Sequence, residues 1–194
     1  MTGRLIRLEP LEQRHAEDLT AAAAEDPTLY QWSLVPQGRE AVKAYIEAAA
    51  NAVAFAIVRR ADGVAIGSTR FFDIARWAWP PGHPRHGRTD PDVCEIGYTW
   101  LAASAIRTGV NTEAKLLMLT HAFETWRVLG VCFHTDVRNH RSRAAIERIG
   151  GRFDGNLRSH RMAADYTPRD SVRYSIVAAE WPEVKARLTS LQRP

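Results

Sequence analysis

Residues 93–126 read VCEIGYTWLAASAIRTGVNTEAKLLMLTHAFETW. The opening run, 93–101, is apolar, β-branched and aromatic, which suits a strand. SAIRTGVN at 104–111 opens a helix that runs to about Trp126. Leu116, Leu119, Ala122, Phe123 and Trp126 recur at i, i+3 and i+4, and Leu117 and Met118 widen that stripe into a core-facing side. A buried strand, a glycine-bearing turn and an amphipathic helix in succession are the unit of an α/β sheet.

Upstream, VAFAIVRR at 53–60 and VAIGSTRFFDI at 64–74 flank Asp62-Gly63, which predicts a β-hairpin. A short strand is expected at 4–8. Helices are expected at 11–25, where alanines 21–24 favour helix, and at 39–50 beyond Pro27 and Pro36. Residues 75–92, ARWAWPPGHPRHGRTDPD, follow no period and predict a long loop. Downstream, VCFHTDV at 131–137 predicts a strand, and SRAAIERI a helix after Asn139 that ends at Gly150-Gly151. Strands near 152–162 and at 171–178 precede a helix at 180–191. The order β-α-α-β-β-β-α-β-α-β-β-α describes one mixed α/β domain over 1–194.

The 194 residues, 45% hydrophobic and 25% charged, suffice for a core without disulfide or metal staples. No apolar run approaches membrane-span length and the N-terminus lacks a signal-peptide pattern, so no membrane partner is expected. Cys94 and Cys132, the only two cysteines, each sit in an apolar run with no ligand cluster, so no metal is expected and a reducing, cytoplasmic setting is the default. The net charge of +4 suits nucleic acid, an anionic surface or a polyphosphate cofactor equally well.

The turn Arg107-Thr108-Gly109-Val110-Asn111-Thr112 carries the first chemical signal. The leading N–H groups of a helix lack internal partners and, with the helix dipole, attract phosphate oxygens. Gly109 lets the backbone approach an anion closely, and Arg107 adds a charged donor. Taken locally, this is equally a plain glycine turn before a core helix.

IRTGVNTEA at 106–114 resembles the phosphate loop of the GNAT superfamily, [Gln/Arg]-x-x-Gly-x-[Gly/Ala] followed by Thr-Glu-Ala. Gly109 and Thr112-Glu113-Ala114 match; Ile106 and Asn111 depart from the pattern. Asn139-x-x-Ser142 with AIERIG at 145–150 resembles the family's next helix start, and EIGYTWL at 95–101 its fourth strand. DGNLRSHRM at 154–162 looks like the branch that acetylates ribosomal-protein N-termini.

The resemblance implies a mixed central sheet whose strands four and five splay around an acyl-CoA site, with helices on both faces. It implies acetyl-CoA, or another acyl-CoA, as donor and a primary amine as acceptor, on a small molecule, a protein N-terminus or a lysine. A homodimer is compatible with it. Backbone donors at Thr99, Trp100 and Leu101 would face the thioester. Residues 107–112 would hold the pyrophosphate, and Asn139 and Ser142 would meet the pantetheine arm. Ser142 would protonate the leaving thiolate, since Ile146 stands where many members have tyrosine. A serine also simply begins helices well.

Glu95, if buried at the start of its apolar strand, is the candidate base for the amine, directly or through water; the other reading is a salt-bridged or solvent-facing strand glutamate. His134 and Asp136, on one face of the next strand, are second choices. Trp77 and Trp79, with His83 and His86 in the long loop, are expected to wall the acceptor site, to form an oligomer contact or to pin a surface loop.

Two other readings compete. RNHRSRAAIER at 138–148 is arginine-rich, but Glu147 interrupts it and no recognition motif surrounds it, so nucleic acid is not expected as partner. A GNAT fold that binds acyl-CoA without transfer, as sensor or subunit, is the alternative to an enzyme.

Overall fold

The computed structural model describes residues 1–192. Seven strands form one sheet in the order β1-β2-β3-β4-β5-β7-β6. They are β1 (Ile6–Pro10), β2 (Val53–Arg59), β3 (Ala65–Ala75), β4 (Val93–Leu101), β5 (Gly130–Asp136), β6 (Arg152–Met162) and β7 (Pro168–Val177). Five helices accompany them: α1 (Ala16–Ala24), α2 (Arg39–Ala48), α3 (Val110–Thr120), α4 (His140–Arg148) and α5 (Trp181–Ser190). The order matches the reading of the sequence; the boundaries move where local bonding decides. The first helix starts at Ala16 rather than near Leu11, because residues 13–15 form a single 3-10 turn. At the far end of α3, Trp126 N–H reaches His121 O, so the helix widens over its last turn.

Sheet neighbours pair antiparallel except β4 and β5, which are parallel. That parallel ladder holds Val93↔Gly130, Cys94↔Val131 and Glu95↔Cys132 and then stops, although both strands continue. Beyond Glu95 and Cys132 the facing edges of the two strands are unpaired and the sheet opens.

Ser68 and Thr69 are consecutive on β3 and point to opposite faces. Tyr45 of α2 meets Ser68, whereas Met118 of α3 meets Thr69, so α2 and α3 cover opposite sides of the sheet. Phe71, Tyr174, Ile57, Met118 and Leu119 are fully buried between the layers. A bulge interrupts β4 opposite β3, between the pairs Arg70↔Gly97 and Ser68↔Trp100, and within it Tyr98 takes φ +49°. Gly67 lets the strands close there, since a Cβ at that position would overlap the Trp100 carbonyl oxygen. The extra residue turns Trp100 to the α2 face and Thr99 to the α3 face.

Candidate active site

The opening between β4 and β5 collects polar groups on both faces. On the α2 face, Glu95 is 4% exposed and its Oε2 lies 2.8 Å from His134 Nδ1 on β5. That contact has ion-pair distance without hydrogen-bond alignment, which leaves His134 Nδ1 without a bonded partner. Arg161 Nη2 donates to Glu95 Oε2 at 3.3 Å and to Asp73 at 2.9 Å. The His160 ring stands 4.8 Å from that of His134, and burial is the main cause that holds its pKa below the usual histidine value. The two leading base candidates are therefore in contact.

Asp136 is placed differently. It is buried and accepts from Arg138 Nε and Nη2 at 2.9 and 2.8 Å, and the bonded guanidinium is the main cause of its lowered pKa. Its ion pair with Arg138 sets it apart from Glu95 and His134, with which it makes no contact among the described residues.

On the α3 face, Lys115 is 5% exposed and donates to Thr99 Oγ1 at 2.6 Å, which meets Thr69 Oγ1 at 2.8 Å. No carboxylate pairs with this ammonium among the described residues. Burial lowers its pKa from the ordinary 10.5 to about 7. The unfolded chain holds this proton up to about pH 10.5, the folded chain only to about 7. Stability should therefore rise as pH climbs through that interval, by up to about 1.4 kcal/mol per unit. Urea midpoints taken at pH 7, 8 and 9 should have a more positive slope against pH in the parent than in Lys115→Met, where only the opposing contribution of the raised cysteines remains.

At the mouth of the opening, residues 107–109 are exposed and Gly109 takes φ +86° just before α3. The helix's first bond is Glu113 N–H to Gly109 O. The N–H groups of Val110, Asn111 and Thr112 thus have no helical partner, and no side chain caps them. Arg107 also lies in the left-handed region, at φ +64°. The Thr108 hydroxyl donates to Ala105 O, and the buried Thr112 hydroxyl accepts from Arg148, so both hydroxyls have partners within the protein.

Trp100 Nε1 is a buried donor with no partner, and Tyr30 OH occupies the Leu101 carbonyl at 2.8 Å. Uncapped N–H groups beside a left-handed glycine, followed by an unpaired strand edge and a free indole N–H, fit a long phosphorylated ligand with amide groups. Asn139 caps α4, accepting from Ser142 N–H at 3.0 Å. Ser142 is half-buried, and its hydroxyl has no hydrogen bond among the described residues. No group of three or more metal-ligating side chains occurs among the described residues.

The long loop is an ordered knot. Asp92, 4% exposed, accepts from Trp77 N–H, Trp79 Nε1 and Arg85 Nη1 at 2.8, 2.9 and 3.1 Å. Trp79 stacks on His83 with centroids 4.1 Å apart, and His86 Nδ1 lies 2.8 Å from Trp79 O. Arg85 and Arg88 tie the knot to the carbonyls of Arg127 and Trp126, beyond the C-terminal end of α3. Trp77 remains half-exposed there.

Reasoning from sequence misses Lys115, His160 and Arg161. Lys115 interrupts an apolar stripe, and that is the one available signal; His160 and Arg161 lie within a segment legible only by resemblance.

A family model described as an acetyltransferase (GNAT) domain matches residues 5–152. A solved GCN5-related N-acetyltransferase from Brucella melitensis is 27% identical, with TM-score 0.83, over 100% of this chain and 85% of that one. An acetyltransferase structure from T. thermophilus, provisionally so named, is 34% identical over 100% of this chain and 96% of its own, with TM-score 0.80. YdaF of Bacillus subtilis (strain 168), provisionally named a ribosomal N-acetyltransferase, is 36% identical over 87 residues, 45% of this chain and 46% of that protein. That last likeness spans about half the curated relative. On its sequence match and its sheet together, the chain belongs to the GNAT acetyltransferase family.

Proposed function

We propose that this chain transfers an acetyl group from acetyl-CoA to a primary amine by direct attack, with Glu95 and His134 receiving the amine's proton. The observation that carries the reading is the opening of β4 from β5 at Glu95. Glu95 and His134 meet there, beside an unpaired strand edge that leads to the uncapped start of α3. Backbone N–H groups of residues 99–101 and 107–112 would bind the donor, the latter group at its phosphates.

The amine nitrogen forms its bond to the thioester carbon as the carbon–sulfur bond breaks. The nitrogen's proton passes to the Glu95–His134 pair, and the thiolate takes one from the free Ser142 hydroxyl, which recovers it from solvent. A covalent acyl-enzyme has little support: burial pushes Cys94 up to about 12 and also raises Cys132, so both stay thiols. YdaF's name, a ribosomal N-acetyltransferase, supports an amine carried by a protein as acceptor.

Calorimetric titration with acetyl-CoA and with CoA at two salt concentrations tests the donor site: saturable binding that weakens with salt is expected. A thiol-release assay against an amine panel tests the transfer. Glu95→Gln should lower turnover about 100-fold with donor affinity unchanged. Ser142→Ala should lower turnover more than it weakens donor binding. Unchanged turnover in either variant removes that residue from the mechanism, and binding without release from any amine favours a non-catalytic acyl-CoA receptor.

A further inference from the structure

Arg70 lies on β3 on the same face as Glu95, and only 8% of it is exposed. Its guanidinium lies against two rings, 3.9 Å from the Tyr98 centroid and 4.9 Å from that of Tyr45. Its Nε is buried without a hydrogen-bond partner, and no carboxylate pairs with it among the described residues. A cation removed from water normally has an anion or a full set of acceptors. Here two aromatic rings lie where acceptors would be expected and the guanidinium N–H groups have no acceptor among the described residues, a need that a carboxylate meets with two parallel hydrogen bonds. The hydroxyls of Tyr45 and Ser68 meet at 3.2 Å nearby. Tyr98 reaches this position through its left-handed backbone in the β4 bulge, a conformation that tyrosine rarely adopts.

The place of Arg70 relative to the proton acceptor is fixed by register. Arg70 pairs with Gly97 and Phe72 with Glu95, so the two groups are one pleat repeat apart, roughly 7 Å along the strands. Between them lies an aromatic floor. A Cβ on Gly97 would stand 2.7 Å from the Phe72 ring, which therefore lies over that glycine, and Phe72 meets Tyr98 edge-on at 5.0 Å. A cationic edge, an apolar floor and a proton acceptor follow one another across one face of the sheet.

We infer that the acceptor carries a carboxylate within a short reach of its amine, and that Arg70 binds that carboxylate while Glu95 and His134 face the amine. This rests on the acyl-transfer reading. The carboxylate has two sources of shared chemistry: a free amino carboxylate, or an acidic residue next to the N-terminal amine of a peptide.

The test compares matched pairs in the thiol-release assay. Glycine, β-alanine, 4-aminobutyrate and 5-aminopentanoate are each set against their carboxamides. Alanyl-aspartyl and alanyl-asparaginyl tripeptide amides are set against each other. The expected result is a preference of at least about tenfold in kcat/KM for the carboxylate member of one series. Arg70→Gln should abolish that preference through KM, leaving the neutral member and CoA affinity unchanged, and Arg70→Lys should retain part of it. The series that shows the preference identifies the source.

Equal rates for both members of every pair overturn the inference while leaving acyl transfer intact. So does an Arg70→Gln variant that slows both members equally or weakens CoA itself. If no amine releases thiol, the CoA-loaded protein is titrated calorimetrically with the same carboxylates. Saturable binding lost in Arg70→Gln then supports the carboxylate site without the transfer reading, and no binding overturns the site as well.

Discussion

Replacing Glu113 with alanine is expected to destabilise the fold by about 3–5 kcal/mol, because three backbone N–H groups lose a charged acceptor at once. The Glu113 carboxylate, 2% exposed, accepts from the N–H groups of Arg4, Leu5 and Ile6 at 2.7, 2.7 and 2.8 Å. It joins the first turn of α3 to the start of β1, more than a hundred residues away in the chain. The Ile6 N–H is buried and has no other acceptor among the described residues, whereas those of Arg4 and Leu5 lie in partly buried bonds. Gly3 completes the fit: a Cβ there would stand 2.6 Å from Glu113 Oε2. A loss of this size is a large share of the roughly 5–15 kcal/mol that holds an average domain together. Urea unfolding measures it, and a midpoint within experimental error of the parent would show that the carboxylate is dispensable. Glu113→Gln should recover only part of the loss, because one amide oxygen replaces two charged ones and its NH₂ then faces backbone donors.

Gly109→Glu is expected to lower acetyl-CoA affinity by about 10³-fold or more. A carboxylate about 4 Å from a bound phosphate costs about 4 kcal/mol at a surface site. The substitution also forces a side chain onto backbone at φ +86°. Gly109→Asn separates the two effects, since asparagine tolerates the left-handed region and carries no charge. It should retain most of the affinity. Within the protein a Cβ would be accommodated, since its one close neighbour, Leu5 Cδ1, would lie at an ordinary 3.5 Å. Calorimetry on both variants decides the matter: affinity unchanged in Gly109→Glu would remove this turn from the donor site.

The sequence by itself determined the order of elements. Alternating and helical periods are local properties, and they predict seven strands and five helices that the structure reproduces in sequence. The turn at Gly109 was legible for the same reason, because a strand, a glycine and a helix start within a few residues need no distant partner to be read. Element ends were less so: the 3-10 turn at 13–15 and the wide last turn of α3 depend on which carbonyl each N–H finds.

Contacts between residues far apart in the chain were decided by tertiary structure alone. Glu95 stood out as a carboxylate in an apolar strand, but its contact with His134 exists only because β4 and β5 pair in parallel for three residues and then part. Glu113 looks like an ordinary acidic residue in a first helical turn until β1 arrives beneath it. Lys115 and Arg70 read as charges in otherwise apolar elements. Their burial beside Thr99 and against Tyr45 and Tyr98 follows from helix packing and from one bulge in β4. A bulge adds one residue and reverses every side chain after it, which periodicity cannot foresee. The chemistry of this site therefore lies where the regular pattern of the sequence breaks.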